Sequence, residues 1–570
     1  MGQPTASPDA SSSRPGRSPL IAPALQAVAA IGMLVAVLTW ATGGFQTSLA
    51  GLRLSSSHVL RPFVLASLAW LAGRALSGRA ALPWPGAARP WLVVALAAQV
   101  AFVGVHLAPY AAAADMYGYV QQAFDWRAGS LVHPEWVTGL GDLYAGAAVP
   151  LGYVFRSAPV PAAVALYPPG TSLHMALASL AHPWAMYLVS PLAALAMVWG
   201  TWALGRQLGD ERTGPVAALL VATCPIVLAQ AIVPMSDTLA AAYWTGSFVC
   251  AGRGPAGRRW VAALLAGALA GAAILVRPNL APLAAAIALR AVQVQGWRVA
   301  SLAVTAMLPA VGWLAWHQAT LYGAPLATGY GAPGQLFSVA HVPTNLARYT
   351  MWLWQALSPV TVLGGVAWLV GLVRTSRVPA AVVLLAGTTV GLYLVYLPWP
   401  HWTFARFLLP ALPVLVVGAV ITWSALTAAR PLVFAGLVLI ALGWQLHFTE
   451  RSELRHTRTA MSRFAELPDR LKAAGLDGAF AATRLHSGSL RFYGGPRTVR
   501  WDLISRDELA AAARAARAQG RRALLIDDSD DRDAFEAAFG PLTCWVDPAA
   551  PLLTLERHAQ VRVFALQPSC

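Results

Sequence analysis

Charge is what this chain has least of. Asp, Glu, Lys and Arg make up only 11% of its 570 residues, and 57% are hydrophobic. A soluble protein carries about 25% charged residues, so an ordinary water-soluble enzyme is excluded. Lys472 is the single lysine among 40 basic residues, and Leu471 precedes it. There is therefore no Gly-Lys phosphate loop, and a nucleotide-driven pump is excluded. The His-Glu-x-x-His pattern of zinc peptidases is absent, as is a Gly-x-Gly-x-x-Gly run after a strand. The sequence points to no metal and no cofactor. Cysteine is scarce: Cys224, Cys250, Cys544 and Cys570, with no Cys-x-x-Cys spacing. The first two fall in apolar runs and read as core residues. The last two can pair only if their segment is extracytoplasmic.

What the chain has instead is apolar length. Mean hydropathy is +0.57, and long apolar runs recur from Leu20 to Leu446. This is the pattern of a polytopic α-helical membrane protein. About thirteen spans are expected, near 20–41, 58–76, 91–109, 184–205, 215–233, 238–252, 260–276, 280–296, 299–317, 350–372, 378–397, 407–425 and 431–448. Residues 1–19 form a Ser- and Pro-rich tail. The first apolar stretch is longer than the roughly 7–15 residues of a signal-peptide core, so it reads as a span.

The net charge of +16 could suit nucleic acid, but the arginines lie in short loops between spans. Arg14 and Arg17, Arg74, Arg79 and Arg89, Arg206 and Arg212, Arg253, Arg258 and Arg259, Arg298, Arg374 and Arg377, and Arg430 all fall on one side. The positive-inside rule makes that side cytoplasmic, and no nucleic-acid partner is implied. The other side receives Asp115, Asp237, Arg277, His317, His401 and Arg406. An odd span count leaves the C-terminus outside as well.

Two stretches are not membrane. Residues 115–182 form a large outer loop with Asp125, Glu135 and Asp142, and loops this long are usually functional. Its apolar end, 168–182, is expected to lie on the outer face or dip into it. Residues 450–570 follow the membrane part, 20–449, and are enough for a small α/β domain outside. Strands are expected at 479–485, 523–526 and 561–566, and helices at 461–474 and 506–519.

Asp115 is the leading candidate for chemistry. It stands where a membrane helix meets the outer loop, where a carboxylate is costly and usually functional. A partly desolvated carboxylate can take a proton from a hydroxyl; the alternative is a helix cap. Asp237 can hold an acceptor or orient arginines, or it can cap the following helix. Arg277 and Arg406 break the inside bias. Their two-pronged donors suit phosphate, with snorkelling to the interface as the alternative. His401, in Trp399-Pro400-His401-Trp402, is explained equally by an interfacial aromatic belt. The run Asp527-Asp528-Ser529-Asp530-Asp531-Arg532-Asp533 lacks the Gly and terminal Glu of a calcium loop and reads as a solvated turn.

Taken in order, these residues resemble the GT-C-fold glycosyltransferases that use lipid-linked sugars, which include protein O-mannosyltransferases and the aminoarabinose transferase of lipid A. The resemblance covers about residues 90–420. It rests on Asp115-Met-Tyr-Gly-Tyr-Val-Gln-Gln-Ala123 with Gly129, Tyr167-Pro-Pro-Gly170, Pro225 with Ser236-Asp237, Arg277-Pro278, Tyr322-Gly323 with Gly329-Tyr330-Gly331, and Arg406-Phe-Leu-Leu-Pro410 with Pro413. It implies hexosyl or pentosyl transfer, with inversion, from a polyprenyl-phosphate donor to a glycan, lipid or protein acceptor. The site would face outward from an inner (plasma) membrane. Asp115 takes the place of the family's base; Tyr117, Tyr119, Tyr167, Asp237, Arg277, His401 and Arg406 would bind substrates. Many members carry a second acidic residue beside the first, where this chain has Met116. A transporter or flippase of a lipid-linked glycan is the rival, and a non-catalytic scaffold a third reading. Transporters place charge at the bilayer midplane, whereas here it gathers at the outer ends.

Overall fold

The structure is a computed structural model that describes residues 21–49, 52–77, 88–137, 145–253, 258–331, 333–375 and 380–567. The N-terminal tail, Arg79, Asp142, Arg377 and Cys570 lie outside these residues.

The chain opens with α1 (Ile21–Thr42), a hairpin of β1 (Phe45–Leu49) and β2 (Leu52–Ser56), α2 (Leu60–Leu76) and α3 (Ala88–His106). The outer loop holds α4 (Asp115–Ala128), the strands β3 (Val132–His133), β4 (Tyr153–Arg156) and β5 (Ala162–Ala165), and α5 (Pro169–Ala181). Then come α6 (Val189–Leu208), α7 (Thr213–Ala222), α8 (Pro225–Ala231), α9 (Asp237–Ala251), α10 (Arg259–Val276), α11 (Ala284–Gln295) and α12 (Trp297–Tyr322). After the short α13 (Pro333–Leu336) follow α14 (Val342–Leu357), α15 (Pro359–Thr375), α16 (Ala380–Leu394), α17 (Leu412–Leu426) and α18 (Pro431–Arg451).

The described residues of each of the thirteen expected spans fall mostly on helix. Five described helices are long and apolar enough to cross a membrane, or eight if each bent pair is one span. The bends have chemical causes. The residue before proline is pushed out of the α region, and Cys224-Pro225 breaks α7 from α8 by 58°. Ser358-Pro359 does the same between α14 and α15, with φ +86° at Ser358 and a bend of 117°. The single span expected at 350–372 is thus two helices meeting at a corner. Helices α7 to α9 are buried almost all round, whereas α1 and α2 show Ile31, Leu34 and Leu65 outward. Helix α5 has thirteen residues, about 20 Å at 1.5 Å per residue and too short to cross. It exposes Leu177 and Leu180.

The outer loop is more ordered than its composition suggests. Strands β3, β5 and β4 form an antiparallel sheet behind α4. The C-terminal segment adds α19 (Thr457–Ala473), β6 (Phe480–Ala482), α20 (Ser487–Phe492), β7 (Arg497–Val499), α21 (Arg506–Ala518), β8 (Ala523–Asp528), α22 (Arg532–Phe539), β9 (Leu553–Glu556) and β10 (Gln560–Ala565). Its five-stranded sheet has the order β7-β6-β8-β10-β9, parallel at β7-β6-β8 and antiparallel beyond. Every residue of β8 is buried, as a strand covered on both faces requires. Leu525 packs with Phe480, Trp501 and Phe535 on one side; Leu524 and Ile526 pack with Leu467 and Leu471 on the other. Ser505 and Glu508 close a capping box on α21. The sequence missed β7 and β9, both short. Cys544 is disulfide-bonded.

The acidic run that begins at the end of β8 is not a solvated turn. Asp527, Asp528 and Asp531 are buried. Asp527 meets Arg532 and Arg562, Asp528 meets Arg463 and His486, and Asp531 meets Arg484. Apart from Arg532, which lies within the run, the partners come from distant segments and leave no local sign in the sequence. Burial alone would raise the Asp528 carboxyl, but the hydrogen bond and charge of His486 and the Arg463 guanidinium outweigh it and hold it down to about 2.

Candidate active site

Four charged residues from four separated segments meet at one end of the membrane helices. Asp115 is the first residue of α4, and Asp237 is the first of α9. Both carboxylates stand where the helix dipole and free backbone N–H groups favour negative charge. Arg277 follows the last residue of α10. Pro278 forces it out of helical geometry, at φ −142° and ψ 88°. Arg406 lies on a short 3-10 turn, Trp402–Leu408, just ahead of α17.

Arg406 Nη2 lies 2.9 Å from Asp115 Oδ2, and Arg277 Nη2 lies 2.8 Å from Asp237 Oδ1. Arg406 Nε stands 3.8 Å from Asp237 Oδ2 and links the two pairs. Phe407 lies beside both guanidinium groups, each 5.3 Å from its ring centre. Such cation–π contacts hold the two cations in place.

Tyrosines complete the wall. Tyr167 donates to Asp115 Oδ1 at 2.6 Å, and Tyr119 donates to Ser236 Oγ at 2.9 Å. Arg277 donates from Nε to Ser236 and from Nη1 to Tyr393, both at 3.1 Å. Asn279 donates to the same Tyr393 hydroxyl at 2.9 Å. Gly118 makes this closeness possible, since a Cβ there would lie 2.3 Å from the Tyr167 ring.

The two carboxylates differ. The Asp115 side chain is 32% exposed and that of Asp237 only 1%. Asp115 can meet a substrate, while Asp237 serves the arginines. Capping does not explain Asp237, because it is the first helical residue rather than the cap and neither carboxylate oxygen accepts a backbone N–H. The guanidinium groups differ too. Each carries five N–H donors. Arg277 uses donors on Ser236, Tyr393 and Asp237, whereas Arg406 makes one hydrogen bond, to Asp115. Arg406 has the more donors to offer a ligand.

Of the residues singled out in the sequence, Asp115, Tyr119, Tyr167, Asp237, Arg277 and Arg406 come together. Tyr117 does not. It is fully buried and points to the far side of α4, against Gly488 and Tyr153. His401 is exposed, and its Nδ1 accepts from the Thr403 backbone as the cap of the 3-10 turn carrying Arg406. Ser236, Asn279, Tyr393 and Phe407 belong to the cluster but were not singled out as site residues. Only Tyr393 and Asn279 lacked any sign, since Ser236 and Phe407 adjoin charged residues already chosen. Asp125 is buried apart from this cluster, with Tyr153, Gln121 and His133 around it. Among the described residues no three His, Cys, Asp or Glu side chains gather as metal ligands.

Comparison with known proteins bears on the fold and on part of the sequence. Residues 168–318 match the family described as dolichyl-phosphate-mannose-protein mannosyltransferase. That stretch includes Asp237 and Arg277 and excludes Asp115 and Arg406. No curated protein matches the chain. Among solved structures, ArnT from Cupriavidus metallidurans bound to undecaprenyl phosphate aligns over 84% of this chain and 98% of its own, with 14% identity and a TM-score of 0.52. The oligosaccharyltransferase AglB from Archaeoglobus fulgidus, in complex with an inhibitory peptide and a dolichol-phosphate, aligns over 81% of this chain and 73% of its own, with 11% identity and a TM-score of 0.50. In sequence over residues 168–318 and in fold over most of its length, the chain is similar to the GT-C-fold glycosyltransferases that use lipid-linked sugars.

Proposed function

We propose that this chain is a membrane glycosyltransferase with its site on the extracytoplasmic face of a plasma membrane, its helices crossing about thirteen times. It moves a hexose or pentose from a polyprenyl-phosphate donor to an acceptor hydroxyl, with inversion. The observation that carries this reading is the meeting of Asp115, Asp237, Arg277 and Arg406 in one partly open cluster. A scaffold has no use for such a cluster. A transporter would set its charges near the bilayer midplane rather than beside a folded outer loop.

The chemistry follows from the geometry. The donor phosphate approaches Arg406, whose free donors face it, and draws the guanidinium from Asp115. Asp115 keeps the Tyr167 hydrogen bond, which fixes its orientation. Its freed oxygen takes the proton of the acceptor hydroxyl. The acceptor oxygen bonds to the anomeric carbon from the face opposite the phosphate. The carbon–oxygen bond to phosphate breaks, and its electron pair leaves with the phosphate. Arg406 and Arg277 stabilise that developing charge.

Asp115→Asn tests this reading. The amide keeps the size of the side chain and can still accept from Tyr167, but it takes no proton at neutral pH. Transfer from a panel of labelled polyprenyl-phosphate hexoses and pentoses should fall by roughly 10²- to 10⁴-fold. Folding should change little, because the side chain is one-third exposed. Wild-type transfer by the purified variant would falsify the assignment.

A further inference from the structure

The C-terminal sheet carries a feature that its sequence does not announce. In open α/β sheets ligands sit beyond the carboxyl ends of parallel strands, where the strand order reverses. Here the chain runs from β6 outward to β7 on one side, then crosses to β8 on the other. The segment after β6, Thr483 to Tyr493 with α20, is therefore the place for a ligand. The carboxylates at this end are taken by Arg463, Arg484, Arg532, Arg562 and His486. What stands against α20 is helix α4 of the outer loop.

The contact is close and specific. The Tyr117 ring lies so near Gly488 that a Cβ there would come within 2.3 Å of it. Phe124 meets Phe492 edge to face at 5.5 Å. The Tyr493 hydroxyl accepts from the Ala111 backbone N–H at 3.0 Å, four residues before Asp115. The Ser487 hydroxyl accepts from the Leu151 N–H at 3.0 Å. Tyr117 and Asp115 share the first turn of α4. The Tyr117 ring is fully buried, so pushing on it strains the turn that carries the carboxylate.

We propose that the C-terminal α/β unit is a positioning element that grips α4 through Gly488 and Tyr493 and holds Asp115 in register with Arg406 and Tyr167. The inference rests on the function proposed above and adds to it what the C-terminal unit does. Gly488 and Tyr493 touch no reacting atom. They act through α4.

The test uses the full-length protein in detergent or nanodiscs, with three readouts. Hydrogen exchange of the amides of residues 111–128 reports the grip. Steady-state transfer reports the register, and binding of undecaprenyl phosphate reports the arginines. Misplacing a reacting group by about 1 Å costs on the order of 10²-fold. Gly488→Ala should therefore raise exchange in α4 and lower kcat by about 10- to 100-fold. KM for the donor and undecaprenyl phosphate binding should stay within about twofold. Tyr117→Leu should make room for the new methyl and recover kcat in the double variant. In an Asp115→Asn background, Gly488→Ala should lower transfer no further. Tyr493→Phe, which removes one hydroxyl and keeps the ring, is the arm to use if Gly488→Ala does not accumulate; a smaller rise in exchange and a smaller loss of kcat are expected. Unchanged exchange and kcat in the accumulating variants, or an equal loss of transfer with and without Asp115, overturns the proposal. If Asp115→Asn alone keeps full transfer, the base assignment fails instead, and exchange in α4 still decides whether the grip exists.

Discussion

At the residue scale the two arginines of the site should answer differently to the same substitution. Asp237 is 1% exposed, and its close partner is Arg277. Removing one partner of a buried pair leaves an uncompensated charge and costs about 3–5 kcal/mol. Arg277→Gln should therefore lose thermal stability as well as donor binding, and Arg277→Gln with Asp237→Asn should recover much of the stability. Arg406→Gln faces a carboxylate that water already reaches. It should fold nearly as the parent does while losing undecaprenyl phosphate affinity, as thermal unfolding and a lipid-binding titration would show. Equal stability losses in both single variants would refute this division of roles. Asp115, Asp237, Arg277 and Arg406 were legible in the sequence because each stands against the pattern around it: a charge at an apolar boundary, or an arginine on the wrong side. Tyr393 was not, since a tyrosine at the end of an apolar helix is ordinary at a membrane surface. Tyr117 was misread because neighbours in a helix face different ways. At 100° per residue it lies far round α4 from Asp115.

At the element scale, helices and apolar runs were legible, and corners were not. Hydropathy averages over a window, so the 117° turn at Ser358-Pro359 was absorbed into one expected span. The proline was visible, but a proline can begin a helix as readily as end one. The acidic run that begins at the end of β8 failed for another reason: its partners, Arg463, Arg484 and Arg562, are distant in sequence. These pairs lead to a pH prediction. The Asp528 carboxyl lies lower in the folded chain, at about 2, than its ordinary value of 3.8. A group whose value is depressed by folding stabilises the fold above its unfolded value and loses that contribution as pH falls toward the folded one. Protection of residues 523–531 from hydrogen exchange should hold near neutrality and fall between about pH 4 and pH 2. Asp528→Asn should flatten that response. A parent chain with constant protection across this window would contradict it.

At the scale of the whole molecule, the C-terminal unit touches the outer loop that carries Asp115. Both must lie on one side of the membrane. On the orientation proposed from the arginine pattern, that side is extracytoplasmic. A reporter that works only outside the cytoplasm should be active when fused after residue 570, and one that works only inside should be silent. The reverse result would overturn both the span count and the orientation. The sequence offers sidedness at this level only as an expectation, through the alternation of arginine-rich loops, and the reporter is what tests it. The docking of α20 on α4 was not legible, because Gly488 and Tyr117 carry no charge, and their fit appears only when the two segments are folded.

The central cluster holds two carboxylates and two guanidinium groups, so its formal charges cancel. A sugar-phosphate diester therefore meets an electroneutral site rather than an anion trap, and its lipid and sugar must supply most of the affinity. Transfer changes that balance. On the proposed mechanism Asp115 gains a proton, leaving the cluster one positive charge in excess, while the lipid phosphate becomes a monoester carrying about −1.5 to −2. The site should hold its product more tightly than its donor until the proton escapes. Such an enzyme is slowed by its own spent carrier, and removal of that carrier from the outer leaflet would set the pace of turnover.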